Sequence, residues 1–408
     1  MSGERLAIEG GRPVRTEPLP KREPFGEEEI DLVTQALGSQ NLFRWGGTFV
    51  AELEKRFAEF YGAAGAAAST SGTASLHLAV GAIDPDPGDE IITAPITDLG
   101  SVIPILYQGA IPVFADVDPE TGNMDPDDVE AKITDRTRAI MVIHLFGSPG
   151  PIDRFVEIAK RHSLPLIEDS SQCHATRYKG KYAGTFGDIG CFSLQQSKHM
   201  TCGDGGVTIS HDGETADRMR LFGDKGWVRS GEGPRGYIIH GLNYRMTELQ
   251  GAVALAQLAK VRSVVERRMG LGDYLNSLLA DMESVKGPPR SADAEHSYWL
   301  YPLRLLEHSA ERFAEALRAE GIPAGAGYIG KPIYLCAASL RDKKTLGASH
   351  WPFDTPGSRP IEYMEGMCPR TEKFLERVVT LSLHEHMTKR DMEDYATAIH
   401  KVARALRP

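Results

Sequence analysis

Between residues 66 and 210 short apolar runs alternate with stretches of helical periodicity, and this alternation constrains the fold more than any other feature of the chain. The runs at 90–94, 112–117, 139–144, 164–169 and 189–194 read as strands, with 207–210 as the last, and helical stretches such as 127–133 and 152–162 lie between most of them. Strands alternating with helices imply an α/β fold, a mainly parallel sheet with both faces covered. Ligands of such sheets bind outside the carboxyl ends of the strands, so the chemistry of the chain is to be sought there.

The polar residues sort by that rule. Ser71-Gly72-Thr73, Asp98, Asp169 with Gln172, and the segment from Ser193 to Lys198 each follow a strand candidate. Ser-Gly-Thr ahead of a helix offers hydroxyls, a close backbone approach and free N–H groups, which suits a phosphate. Taken alone it is equally a turn and an N-cap. Asp169 ends a run buried on both faces, where a carboxylate needs a cationic or hydrogen-bonding partner unless it caps the next helix. Lys198, ahead of the glycine-rich Gly203-Asp204-Gly205-Gly206, can form a Schiff base once deprotonated, which burial and neighbouring cations favour. A lone lysine is more often simply solvated. Together, a phosphate cradle, an acid and an amine meet the requirements of pyridoxal 5′-phosphate: an anchor for its phosphate, a proton kept on its pyridine nitrogen and a lysine for its aldehyde.

The rest of the chain divides into three parts. Residues 1–25, rich in Pro, Gly and charge, read as an extended arm; 26–269 form the large α/β domain with a long connecting helix; 270–408 form a smaller C-terminal α+β domain. The first helix places Ile30, Val33 and Leu37 on one face, and 49–61 is a second helix ending at Gly62. Residues 40–47 form a loop whose Phe43 and Trp45 read as core anchors by residue type. The Gly- and Arg-rich segment 223–241 reads as a long mobile loop, and the long helix is expected to begin at Asn243 and run towards Met269. The 408 residues, 41% of them hydrophobic, support sizeable cores. With 46 basic against 56 acidic residues, a net charge of −10 argues against a nucleic-acid or anionic-membrane partner. No leader-like apolar segment opens the chain, and no run approaches the roughly 20 residues that span a bilayer, so a cytoplasmic protein is expected. The five cysteines (Cys173, Cys191, Cys202, Cys336, Cys368) are scattered without a CxxC pair, which suggests neither a disulfide framework nor a metal site.

Over nearly its whole length the sequence resembles the DegT/DnrJ/EryC1/StrS family of sugar and aminocyclitol aminotransferases, which have the aspartate aminotransferase-like fold type I of pyridoxal-phosphate enzymes. The family's S-G-T is matched by Ser71-Gly72-Thr73, its acidic strand end by Glu168-Asp169 with Gln172, its F-S-x-x-x-[ST]-K by Phe192 to Lys198, and its N-Y-R by Asn243-Tyr244-Arg245. The resemblance implies that Lys198 joins the cofactor and shuttles the proton, that Asp169 pairs with the pyridinium nitrogen, that Gln172 contacts the ring hydroxyl, and that Gly72, Thr73 and Ser193 hold the phosphate. It implies further that Asn243 reaches the phosphate in the neighbouring subunit, hence a homodimer with shared sites. The implied reaction moves an amino group from L-glutamate or L-glutamine to a keto-sugar or keto-cyclitol. Residues 44–47 look slightly more like the cyclitol and aminobenzoate-forming members, and acceptor choice is expected in 223–241 and around 325–334. One departure stands out: where the family usually has an aromatic that stacks on the ring, this chain has Asp98, expected near a polar substrate. Two alternatives are a sugar dehydratase, in whose relatives histidine replaces the lysine, and a non-catalytic regulatory member, which would have lost the lysine, the acid or the phosphate residues. Here Lys198 stands with His199 only beside it, and none of the others is lost.

Overall fold

The computed structural model describes residues 5–229 and 235–406. Its largest sheet contains β1 (Gly65–Ser69), β2 (Glu90–Thr93), β3 (Ile111–Phe114), β4 (Thr137–Ile143), β5 (Leu166–Asp169), β6 (Ile189–Ser193) and β7 (Gly206–Ser210), in the order β1-β7-β6-β5-β4-β2-β3. Pairing is parallel from β3 through β2, β4 and β5 to β6, and only β7 runs against its neighbours β6 and β1. All but two of these strand residues are at least nine-tenths buried, which explains why the runs are apolar rather than alternating. One face carries the core around Val80, Ile140, Phe155 and Ile158, and the other the core around Val50, Phe57, Phe192 and Val261. Each fully buried Phe, Ile or Val side chain there contributes about 1.5–3 kcal/mol.

Of the helices α1 (Glu27–Gly38), α2 (Phe49–Tyr61), α3 (Gly72–Ile83) and the long α4 (Glu248–Leu278), α2 and α3 pack directly on the sheet, α1 packs on α4, and α4 crosses to the C-terminal part. Gly62 ends α2 at φ +68°, the left-handed conformation expected of it. On α1 the apolar face behaves differently from expectation. Ile30 and Leu37 are 65% and 51% exposed, and the side turned to α4 buries Glu29 and Ala36 instead. Glu29 is acceptable there because Gln257 and Lys260 of α4 hydrogen-bond its carboxylate, at 2.8 Å each.

The long helix begins five residues later than the sequence suggests and ends beyond Met269. Arg245 bridges Ser69 at the end of β1, which keeps residues before the helix extended. Thr247 then caps it: its hydroxyl accepts from Gln250 N–H while Gln250 Oε1 accepts from Thr247 N–H at 3.1 Å. Its last turns bury Leu271 and Leu275 in the C-terminal core, so apolar burial carries the helix onward to Leu278. Within 223–241 the described residues form a hairpin rather than an open loop, with Trp227–Val228 paired to Gly236–Tyr237; residues 230–234 lie outside the described residues. Phe43 and Trp45 are not core anchors. Both are exposed, and Trp45 Nε1 donates to Asp224 Oδ2 at 2.8 Å.

A second, wholly antiparallel sheet, β8-β9-β11-β10, is built from β8 (Val285–Lys286), β9 (Leu300–Leu305), β10 (Ala324–Ala326) and β11 (Val378–Ser382). The helix Ala310–Ala319 and the final α5 (Lys389–Ala405) pack on it. The arm is tied to this part: Leu6 is buried in its core, and Glu320 accepts from the N–H groups of Ala7 and Val14 at 2.9 and 3.0 Å. Among the described residues no helix is long and apolar enough to cross a membrane.

Candidate active site

The carboxyl edge of the large sheet brings several of the sequence's candidates together. In register across three strands, Ser69 of β1 and Ser193 of β6 both pair with Gly206 of β7. Ser71 caps α3 by accepting from Ala74 N–H at 3.0 Å, which leaves the first turn of the helix facing Ser193. The gap is narrow: a Cβ on Gly72 would lie 2.6 Å from Ser193 Cβ, so only glycine lets the helix start come this close. Thr73 is exposed, with Gly100 lying against its hydroxyl. A helix N-terminus flanked by the Ser193 and Thr73 hydroxyls is an anion site by charge and by hydrogen-bonding capacity.

Two consecutive acids end β5, and the pleat sends them to opposite faces. Glu168 is wholly buried, paired with His144 Nε2 at 2.8 Å and accepting from the N–H groups of Gly184, Phe186 and Gly187. Burial alone would raise its pKa, but these bonds and His144 hold it below the usual carboxylate range. Asp169 faces the other way. It is 5% exposed, accepting from Ser101 Oγ at 2.8 Å and from Ser171 N–H at 3.0 Å, and Thr97 Oγ1 in turn lies 2.7 Å from Ser101 Oγ. Gln172 lies buried beside it, its Oε1 accepting from Phe146 N–H at 2.7 Å and its Nε2 donating to Tyr328 Oη at 3.3 Å.

Lys198 stands on the turn after β6, its Nζ 3.9 Å from the centre of the Trp299 ring. Burial pushes its pKa down from 10.5 to about 8, against the upward pull of Asp169 and Asp98. The lowered pKa raises the share of neutral amine near neutral pH, the form a nucleophile requires. Asp98 is exposed, caps the short turn Leu99–Ser101 by accepting from Gly100 N–H at 2.8 Å, and is close enough to Lys198 to act on its charge. His199 turns away into the core, donating from Nε2 to Ser297 O at 3.1 Å. Among the described residues Asn243 shares no side-chain hydrogen bond with these groups, although the carbonyl of Tyr244 beside it accepts from Thr70 N–H at 3.0 Å. Asn243 is exposed, in an isolated bridge with Asp224, next to the hairpin where Arg229 covers Trp227 at 3.7 Å.

Several side chains at the site escaped the sequence reading. Ser101 sits in the segment that contains Asp98, but only the fold reveals that it reaches Asp169. Trp299 immediately precedes β9, while Tyr328 follows β10 and falls within the 325–334 stretch assigned to acceptor choice. Polar or aromatic character at strand ends of the second sheet was the available signal.

The model of the DegT/DnrJ/EryC1/StrS aminotransferase family matches residues 24–400. An L-glutamine:2-deoxy-scyllo-inosose aminotransferase of Streptomyces kanamyceticus is 33% identical over 98% of this chain and 97% of its own. A GDP-perosamine synthase of Caulobacter vibrioides is 39% identical over 64% of this chain and 70% of its own. Among solved structures, an aminotransferase from Psychrobacter cryohalolentis superposes with a TM-score of 0.84 at 28% identity, covering 96% of this chain and all of that one.

Proposed function

The chain belongs to the DegT/DnrJ/EryC1/StrS aminotransferase family and is a pyridoxal-phosphate-dependent aminotransferase, and on that premise we propose that it moves an amino group from L-glutamate or L-glutamine to the keto group of a sugar or cyclitol. The observation that carries the reading is Lys198: a lysine with a pKa near 8, at the carboxyl edge of the sheet, in a site that also contains a buried carboxylate and a glycine-bound anion cradle. The residues fit the cofactor. A phosphate has the start of α3 with Thr73 and Ser193 around Gly72, a pyridinium has Asp169, and a ring hydroxyl has Gln172. Bound there, the cofactor supplies an electron sink and the carbon that carries nitrogen from donor to acceptor.

The chain's own residues do the rest. Asp169, oriented by Ser101 and the Ser171 N–H, holds the proton on the ring nitrogen. Lys198 Nζ takes the proton from the substrate carbon and returns it, a role its lowered pKa suits. Trp299 and Tyr328, in edge contact at 6.2 Å, close the side from which the second sheet faces the lysine. With Asp98 in place of a ring, Trp299 is the aromatic that stands against Lys198, and Asp98 is left to meet a polar acceptor. Asn243, exposed and bonded to none of the cradle residues of its own chain, acts in the partner's site of a homodimer. The inosose and perosamine relatives support a keto-cyclitol or keto-sugar acceptor. The dehydratase alternative gains no support, because His199 is committed to Ser297.

The test is a pair of half-reactions on the holoenzyme. L-glutamate or L-glutamine should bleach its visible absorbance, and a keto-inositol or nucleotide keto-sugar should restore it. Absence of bleaching by every amino donor would end the transaminase reading. For the shared site, mixing inactive Lys198→Ala and Asn243→Ala proteins should restore activity, because one of the two hybrid sites is then intact. No recovery on mixing would contradict it.

A further inference from the structure

The turn that carries Lys198 leaves the sheet at Ser193, so no strand ladder fixes it. Inside the turn, Lys198 N–H bonds Gln195 O at 2.9 Å and Ser197 N–H bonds Gln195 Oε1 at 2.7 Å. The carbonyls on its outer side are taken by a residue 176 positions away in sequence. Arg22 Nη1 donates to Gln196 O at 2.8 Å, and its Nη2 donates to Lys198 O at 2.7 Å and to His199 O at 3.1 Å. The remaining nitrogen, Nε, donates to Glu385 Oε1 at 2.8 Å. Glu385 lies on the loop after β11, and its other oxygen pairs with the buried Arg268 of α4 at 2.7 Å. Burial would raise the Glu385 pKa, but Arg268 and Arg22 together hold it at about 2, so the carboxylate stays charged at working pH. The arm is also pinned on either side of Arg22, where His384 Nε2 donates to Pro20 O at 3.1 Å and Gln257 Nε2 donates to Pro24 O at 2.7 Å.

We propose that Arg22 is a positioning residue for Lys198: its planar fork, anchored on Glu385, clamps the carbonyls of the lysine turn and sets where Nζ stands relative to Asp169 and Trp299. A guanidinium suits this task because one rigid group presents five N–H donors in a plane, whereas a lysine ammonium in its place can keep the pair with Glu385 but cannot span three carbonyls. The arm thereby couples the C-terminal sheet, through Glu385 and Arg268, to the reacting nitrogen. A displacement of Nζ by even an ångström changes both its pKa and its approach to the substrate carbon.

The proposal rests on Lys198 as the cofactor's lysine, and the test separates the two. Purified Arg22→Lys and Arg22→Ala holoenzymes are compared with wild type by visible absorbance, by pH titration of that absorbance, and by steady-state kinetics with L-glutamate or L-glutamine as donor. Wild type that shows no visible chromophore would overturn the role of Lys198 itself. Given the chromophore, Arg22→Lys should remain loaded, shift the midpoint of the titration by about half a pH unit or more, and lower kcat about tenfold or more with little change in donor KM. Arg22→Ala should go further in the same direction. Should Arg22→Ala fold poorly, Arg22→Lys carries the prediction alone. A loaded Arg22→Lys enzyme with the wild-type midpoint and kcat would overturn the proposal, as would a variant that changes stability alone.

Discussion

Asp98 acts on Lys198 through its charge. Burial depresses the Lys198 pKa to about 8, and the negative charges of Asp169 and Asp98 resist that depression. Removing the charge at 98 leaves burial less opposed. In Asp98→Asn the lysine should therefore lose its proton at a lower pH than in wild type, and the pH midpoint for uptake of pyridoxal phosphate by cofactor-free protein should fall, because uptake requires the neutral amine. Stopped-flow absorbance over the range from about pH 6 to 10 measures it; a midpoint unmoved or raised would contradict the assignment. Lys198, Asp169 and the Ser71-Gly72-Thr73 turn were legible in the sequence because each is a local pattern, a strand end followed by the chemistry. Ser101, Trp299, Tyr328 and Arg22 were not, because each reaches the site across 68 to 176 residues of chain, and nothing local to them announces the partner.

At the scale of elements, the strands of the large sheet were readable because parallel strands buried on both faces are continuously apolar, whereas helix ends and helix faces depended on tertiary partners. Ile30 and Leu37 carry a helical apolar stripe that this chain does not bury, and the start of α4 is set by the Thr247 cap and the Arg245 bridge rather than by helix propensity. The crossing of α2 and α4 provides a direct test of packing against propensity. Gly251 of α4 sits where a Cβ would be 2.9 Å from Val50 N and 2.7 Å from Val50 Cγ2. Alanine there gains about 1 kcal/mol of helix propensity but forces overpacking that costs about 1–3 kcal/mol, against backbone that cannot swing aside. Gly251→Ala should lower the free energy of unfolding by about 1 kcal/mol, measured by denaturant titration of the apoprotein. A stability equal to or above wild type would mean that α2 moves away freely.

For the whole molecule, the two sheets, the arm and α4 meet at one place. The large sheet brings the anion cradle and Asp169, the turn after β6 brings Lys198, the second sheet brings Trp299 and Tyr328, and the arm brings Arg22. Asn243, exposed and in an isolated bridge with Asp224, is the residue that the proposed site takes from a second copy of the chain. With Lys198 as the covalent anchor of the cofactor, borohydride reduction of the purified holoenzyme followed by peptide mass mapping should find a phosphopyridoxyl group on Lys198, absent from Lys198→Ala; a label on another lysine instead, or none after incubation with pyridoxal phosphate, would overturn that role.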